Sequence, residues 1–526
     1  MTQGTDRRGT PLPRRGTVAA ALLASLAAAP AAGQDAPRPG LTLRQVVETT
    51  LARSAQIAQG EWDVQSQLGS LQQAAGAFDP QAHASVTTDR RRTPTFGSGE
   101  TGPGSSLARN LGYGAGVDWR LRSGLSLSPN LSFNRVDVDA AGLPRNTGVA
   151  SLDLVMPLLR GRGGGSARAG EVAAAENLDA SQADLRHLRA SSVLSAVNAY
   201  WGYVAAARTL AVLRESEGRS RRLLEQTEKL IEADERPAAE RVTSAANLAS
   251  KRAATLAGEN ALATARQALA EAMGLPADQL AALPLAADAF PALPDSAAAA
   301  AWPADAEWVA LALRERADLA AARKRRSAAG ALLRGTRSEI RSRLDLNLGV
   351  GYTGIEAGGE FDRLVAPFYS SQGGFQAEMG FTYGLPLGRR ATAGQLLRSS
   401  AADRRAALAA DELARTISLA VATAAETLRR TVEELRLTAE AVTLHTASVE
   451  SESQKFQLGT ATLFDVIQSE DGLTGATVGW INAQRRFAGA LAQLRFLTGT
   501  LVGGERGDAV DAAGLATWAG IAAAPR

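Results

Sequence analysis

From Leu387 to Ala524 the chain has no proline, and between Gly394 and Gly459 it has no glycine either. Proline and glycine are the residues that most often end a helix. The stretch of roughly 65 residues therefore reads as one helix about 100 Å long at ~1.5 Å per residue. Ala401, Ala402, Ala406, Ala407, Ala409 and Ala410 give it a small-residue face that permits close helix–helix approach, with arginine and glutamate elsewhere. A similar segment runs from about Ala167 to Met273, broken by Pro237. Each segment folds back into a helical hairpin, at Asp234–Pro237 in the first and at Gly459-Thr460 in the second. The turns align at an offset of 225, with Phe456 against Ile231, Gly459 against Asp234 and Asp465 against Glu240. Aspartate tolerates the left-handed backbone better than most residues, so the first turn survives without glycine.

The rest of the chain is duplicated as well. Amphipathic patterns open near Leu41 and near Ala306, with Leu51 and Ile57 matching Leu313 and Leu319 at an offset of 262. A strand-like alternation follows each, from Ala82 and from Leu344, and then a second strand ending in a Pro-Leu turn. These second strands read SLDLVMPLLRGRGGG (Ser151–Gly165) and MGFTYGLPLGRR (Met379–Arg390). The organisation is a first repeat over 34–275, with strands about 81–157 and a hairpin about 166–273. A proline-rich linker containing a short helix covers 276–304. The second repeat spans 305–502, with strands about 343–387 and a hairpin about 391–499, and a loosely ordered tail covers 503–526. Leu111–Val136 also alternates, through Val117, Trp119, Leu121, Leu125, Leu127, Leu131 and Phe133, and reads either as an added strand pair or as an external hairpin. Alternating stretches of about ten residues with glycine-rich turns are the signature of outer-membrane strands. Asn130 to Gly148 and Gly97 to Ser105 read as exposed loops.

Residues 1–33 read as an export signal: Arg7, Arg8, Arg14 and Arg15, an apolar run Val18–Ala29, then small residues to Gly33. They also explain the apparent basicity. Lys+Arg 57 less four, against Asp+Glu 54 less one, leaves the remainder neutral, which removes support for nucleic-acid binding. The absence of cysteine excludes disulfide scaffolds and thiol catalysis, and three separated histidines (His83, His187, His445) leave little for a metal site. No HExxH, Walker A or GxSxG pattern occurs, and Gly161-Arg162-Gly163-Gly164-Gly165 reads as a strand-to-helix hinge. The residues suggest no catalytic, cofactor or metal site, so the chain is read as a non-enzyme without cofactors. No segment is apolar for long enough to be a transmembrane helix.

In Leu41–Pro80, Met156-Pro157-Leu158-Leu159, Leu385-Pro386-Leu387 and above all KFQLGTATLFDVIQSEDGLTGA (Lys455–Ala476), the chain resembles the TolC family of outer-membrane efflux and secretion channels. The resemblance covers about Leu41 to Gly499. It implies a mixed α and β fold: a homotrimeric outer-membrane β-barrel with two strand pairs per protomer, continuing into a long periplasmic α-helical barrel. The implied function is a passive exit duct for small molecules or proteins. The implied partners are outer-membrane lipid, a periplasmic adaptor of the membrane-fusion class and an inner-membrane transporter of RND, ABC or MFS type, with no nucleic acid. The implied pore entrance and gate comprise Asp465, Glu240, Phe456, Gly459, Thr460 and Gln468.

Asp465 would form an anionic ring, or it simply caps the helix restarting after Gly459. Glu240 would add a second ring, or lies on a solvated face. Phe456 is either an entrance aromatic or a buried packing residue. The family's latch arginine and second aspartate fall at Ala461 and Gln468, so closure would need hydrophobic or other polar contacts. The competing readings are a periplasmic coiled-coil adaptor or scaffold and an exported helical enzyme. The strand pairs flanking each hairpin favour the channel over both.

Overall fold

The computed structural model describes residues 40–95, 104–138, 143–293, 302–358, 365–369 and 372–503. The chain divides into Met1–Gly40 and Leu41–Arg526, and nearly everything described belongs to the second unit. The export-signal segment, most of the tail and nearly all of Gly97–Ser105 lie outside the described residues.

Helices α1 (Leu43–Arg53) and α2 (Ala55–Gly76) lead into four strands: β1 (Gln81–Thr95), β2 (Gly104–Arg120), β3 (Ser126–Val138) and β4 (Arg145–Pro157). A glycine-rich hinge follows, with positive φ at Gly161 and Gly163, and then α3 (Ala169–Glu232) and α4 (Ala239–Ala272). The second repeat contains α5 (Asp305–Glu315), α6 (Ala317–Glu339), β5 (Arg343–Ala357), β6 (Gly373–Gly384), α7 (Arg390–Gln457) and α8 (Leu463–Leu497). At 64 and 68 residues, α3 and α7 are each roughly 100 Å long. Among the described residues no helix is long and apolar enough to cross a membrane.

The strands form a single antiparallel meander in the order β1-β2-β3-β4-β5-β6, with β1 and β6 as open edges. Among the described residues the first repeat thus carries four strands where the resemblance implies two, making three strand pairs in all. β1 and β5 start 262 residues apart, whereas the hairpin turns are 225 apart, so the first repeat has gained 37 residues between them. The β2–β3 hairpin accounts for the difference. Its turn is rooted at the helical end of the sheet, where Arg122 Nη2 donates to Glu171 Oε1 at 2.7 Å on the first turn of α3. The alternation in Leu111–Val136 is therefore an added strand pair. The loop expected at Asn130–Gly148 is instead mostly strand, because Ser128, Asn130, Ser132 and Asn134 line one face of β3 and Pro129, Leu131 and Phe133 the other.

Cross-strand register extends this division over all six strands. Ala84, Ala115, Leu131, Ala150, Tyr352 and Phe375 form one continuous row. Trp119, Leu127, Leu154, Leu348 and Met379 form another nearer the helices. The opposite face carries His83, Ser85, Asn130, Ser132, Ser151, Asp153 and Asn347. On β6 the apolar face is uncovered: Phe375, Met379, Phe381 and Tyr383 are 74, 71, 64 and 61% exposed.

Two apolar cores sit along the helices. Val46, Val47, Tyr200, Trp201, Tyr203, Leu269 and Phe290 build the first. Trp308, Leu319, Ile417, Leu428, Phe487 and Leu491 build the second. The aromatic trio of α3 thus packs midway along the helix, not at its junction with the strands. The reason is that the linker folds back there: Tyr200 Oη donates to Asp288 Oδ2 (2.8 Å), and Asp288 Oδ2 also accepts from Leu43 N (2.6 Å) at the start of α1. Close alanine packing occurs between α3 and α6, through Ala173, Ala180, Ala183, Ala321, Ala328 and Ala331. On α7 only Ala410 of the alanine face is buried, while Ala401, Ala402 and Ala409 open to the surface together with Leu397 and Leu408.

Candidate functional site

The sequence-derived residues gather where the two hairpins turn. α7 ends at Gln457, and Gly459 takes φ +75° so that its N–H reaches Phe456 O (3.1 Å) while Thr460 N reaches Lys455 O (2.9 Å). This is a Schellman closure, which satisfies carbonyls the helix end would otherwise leave unpaired. The first hairpin repeats it bond for bond. Asp234 takes φ +57° and donates to Ile231 O (3.1 Å), and Glu235 N donates to Leu230 O (2.9 Å).

Phe456 is 7% exposed and packs with Leu223, Ala461, Leu463 and Val466, which makes it a buried packing aromatic. Thr460 Oγ1 donates to Lys455 O (3.1 Å) within the turn. Thr462 and Asp465 form a capping box: Asp465 N donates to Thr462 Oγ1 (3.3 Å), and Thr462 N donates to Asp465 Oδ2 (2.9 Å). Asp465 thus caps α8, yet its side chain remains exposed beside Phe464 and Gln468 on one face of the first turns. Hydrogen bonds from the Thr462 hydroxyl and backbone N–H hold its carboxyl below the ordinary aspartate range.

Glu240 lies elsewhere. It lines a groove of about 800 Å³ between the two tips, together with Leu230, Arg236, Phe456 and Gly459. Arg236 sits between the hairpins. Its guanidinium stacks on Phe456 at 4.6 Å, Nη2 approaches Phe456 O at 3.4 Å, and Nη1 lies 3.6 Å from Glu240 Oε1. Glu240 Oε2 is buried without a hydrogen bond. Ala461 and Gln468 make no charged contact, whereas Arg236, Ala461's equivalent at the 225 offset, lies against both Phe456 and Glu240. Sequence reasoning missed it. The available signal was an arginine just before Pro237, spaced i,i+4 from Glu240.

Above the tips the helices meet through polar groups. Ser244 pairs with Thr227, Asn247 with Ser220 (3.0 Å) and Thr474 with Ser216 (3.0 Å). Ion pairs join Arg219 to Glu470 and Lys251 to Asp471 across the repeats.

No family profile and no curated protein matches the chain. Solved structures do. The outer-membrane protein VceC from Vibrio cholerae shares 18% identity, with 87% of this chain and 96% of that one covered at a TM-score of 0.63. The CmeC outer-membrane channel of Campylobacter jejuni shares 14%, with 87% and 85% covered at 0.63. The outer-membrane channel OprN shares 16%, with 87% and 90% covered at 0.64. At these identities the likeness shows the fold. The mixed α and β fold implied by the resemblance is the one found, with an open six-stranded sheet in the single chain.

Proposed function

We propose that the chain is the subunit of a passive outer-membrane exit channel. It would pass small molecules or proteins delivered by a periplasmic adaptor and an inner-membrane transporter. The observation that carries this reading is the six-stranded sheet, apolar on one face, polar on the other and open at both edges. An open edge in hydrocarbon leaves N–H and C=O groups unpaired at several kcal/mol each, so a sheet of this kind must close on itself or on copies. β1 runs away from the helices and β6 runs back toward them, so β6 of one copy lies antiparallel to β1 of the next. Three copies, as the sequence resemblance implies, give a barrel of roughly 18 strands, a size that leaves a water-filled lumen. The exposed Leu397, Ala401 and Leu408 of α7 are the matching inter-copy surface of the helical part.

In this assembly Asp465 and Gln468 face the entrance from three sides, and Arg236 holds the two tips of each copy together. Energy for export would come from the transporter. The test is extraction of the full-length protein from outer membranes in mild detergent, followed by planar-bilayer recording. A heat-sensitive species of three chain masses that forms conducting pores is the expected result. A water-soluble periplasmic monomer would sink the reading in favour of a scaffold.

A further inference from the structure

Helix α6 lies between two long helices and packs on both α3 and α7. Its equivalent in the first repeat, α2, packs on α3 along the side that carries Gly60. The two stackings share one register. A Cβ on Gly60 would come within 2.8 Å of Leu188. The residues at the 262 and 225 offsets, Ala322 and Leu413, line one groove between α6 and α7. Each repeat therefore seats its short helix on its long one in the same way. The other side of α6 is buried against α3 at Ala321, Ala328 and Ala331. Within that seam Lys324 Nζ donates to Asp179 Oδ2 (2.8 Å) and lies 3.2 Å from Glu176 Oε2.

The corresponding side of α2 is exposed. It carries Gln59, Trp62, Ser66 and Gly69 in the places of Ala321, Lys324, Ala328 and Ala331, and Trp62 is 75% exposed. Nothing described lies within 4 Å of a Cβ on Gly69. On α7, the side equivalent to the one α3 turns to α6 is exposed too. There Ala401, Arg404 and Leu408 stand for Glu176, Asp179 and Ala183.

We infer that the α3–α6 seam is used a second time between copies, with α2 of one copy seated on α7 of the next. The inference deepens the channel reading above and rests on it. Chain order supports the join. Helix α2 leads into β1 and β6 leads into α7, so pairing β6 with the next copy's β1 brings these two helices together. The two sides also match in chemistry. Ser66 and Gly69 keep the small side chains that let α6 approach α3 closely. Trp62 meets Ala401 and Arg404 instead of two carboxylates, an indole packed on alanine with a guanidinium at its face. A lysine in Trp62's place would face an arginine, so the change on one side follows the change on the other. A seam between unlike surfaces, repeated from copy to copy, closes a ring.

The chain has no cysteine, so engineered pairs report without background. Full-length protein carrying Gln59→Cys and Leu408→Cys, oxidised in the outer membrane, should run on denaturing gels as a ladder of linked chains. The parent pair, Ala321→Cys with Ala183→Cys, should close within one chain and leave its mass unchanged. Gln59→Cys with Leu437→Cys, exposed farther along α7, should not link. Trp62→Lys should weaken assembly about tenfold per seam. Adding Arg404→Glu should restore it, because the two together recreate the pair of Lys324 with Asp179. If the cysteine variant fails to assemble, the Trp62 and Arg404 variants decide. Conducting oligomers that form no Gln59–Leu408 link, or a Trp62→Lys defect that Arg404→Glu does not relieve, overturn the inference alone. A water-soluble monomer overturns the channel reading itself, so the two failures are told apart.

Discussion

At the first hairpin tip Asp234 holds φ +57°, at the second Gly459 holds +75°, and the same pattern of backbone bonds closes both turns. Beyond the backbone the tips diverge. The first carries Arg236, Pro237 and Glu240 on the groove, whereas the second carries Ala461 in an apolar cluster and Thr462 with Asp465 in a capping box. A helix ending in a tight turn must satisfy its last carbonyls in one of a few ways, and that requirement was kept through the duplication. The side chains were under no such constraint, so capping fell to one tip and clasping to the other.

The largest effect is expected from forcing the second tip to resemble the first. Ala461 is buried among Leu223, Phe456, Leu463 and Val466. Ala461→Arg must therefore desolvate a charge or open the cluster, at roughly 2 kcal/mol or more. Thermal unfolding of the purified protein would show it. An arginine tolerated there without loss would mean the cluster is not packed as described.

Next in size is removal of the clasp. Arg236→Ala deletes the stack on Phe456 and leaves Glu240 without its cation, at about 1–2 kcal/mol in this partly buried setting. Amide exchange should speed up in both tips together, and channel conductance should rise. Faster exchange in residues 226–240 alone would show that Arg236 stabilises only its own turn.

The turn residues come third. Gly459 has open space where a Cβ would sit, so only its backbone conformation matters there. Asp234→Gly should stabilise the first tip and Gly459→Asp destabilise the second, each by about 1 kcal/mol or less. Equal melting temperatures for both variants would mean the turns are relaxed by their surroundings.

Both offsets, 225 and 262, were legible in the sequence because helix breakers and strand alternation survive duplication even where identity does not. Their difference of 37 residues corresponds to the added β2–β3 hairpin, which the sequence leaves open between a strand pair and an external hairpin. Alternation alone did not reveal it, since it identifies a strand without naming its neighbours. β3 was partly misread because a polar face of Ser128, Asn130, Ser132 and Asn134 has the composition of a loop. At the site, Phe456, Gly459 and Asp465 were found from a contiguous motif. Arg236 was not, because its meaning depends on Phe456, 220 residues away, and one arginine among 57 basic residues carries no such information.

The smallest effect, on selectivity alone, separates the two roles of Asp465. Position 465 is the third residue of α8, where either an acid or glutamine completes a capping box with Thr462. Asp465→Gln therefore keeps the cap and removes the charge, whereas Asp465→Ala removes both. If three copies form an anionic ring, both variants should lose cation preference in planar bilayers, and Gln should do so without loss of stability. Comparison with a Thr462 variant adds a pH dependence of determined sign. The Asp465 carboxyl is held below the ordinary aspartate value by bonds from Thr462. Cation preference should therefore be lost at a lower pH than it would be without the Thr462 bonds. Thr462→Val removes the hydroxyl donor and should move that loss upward in pH. Selectivity that is unchanged in Asp465→Gln would leave Asp465 as a cap alone, and the entrance would owe its charge to other residues.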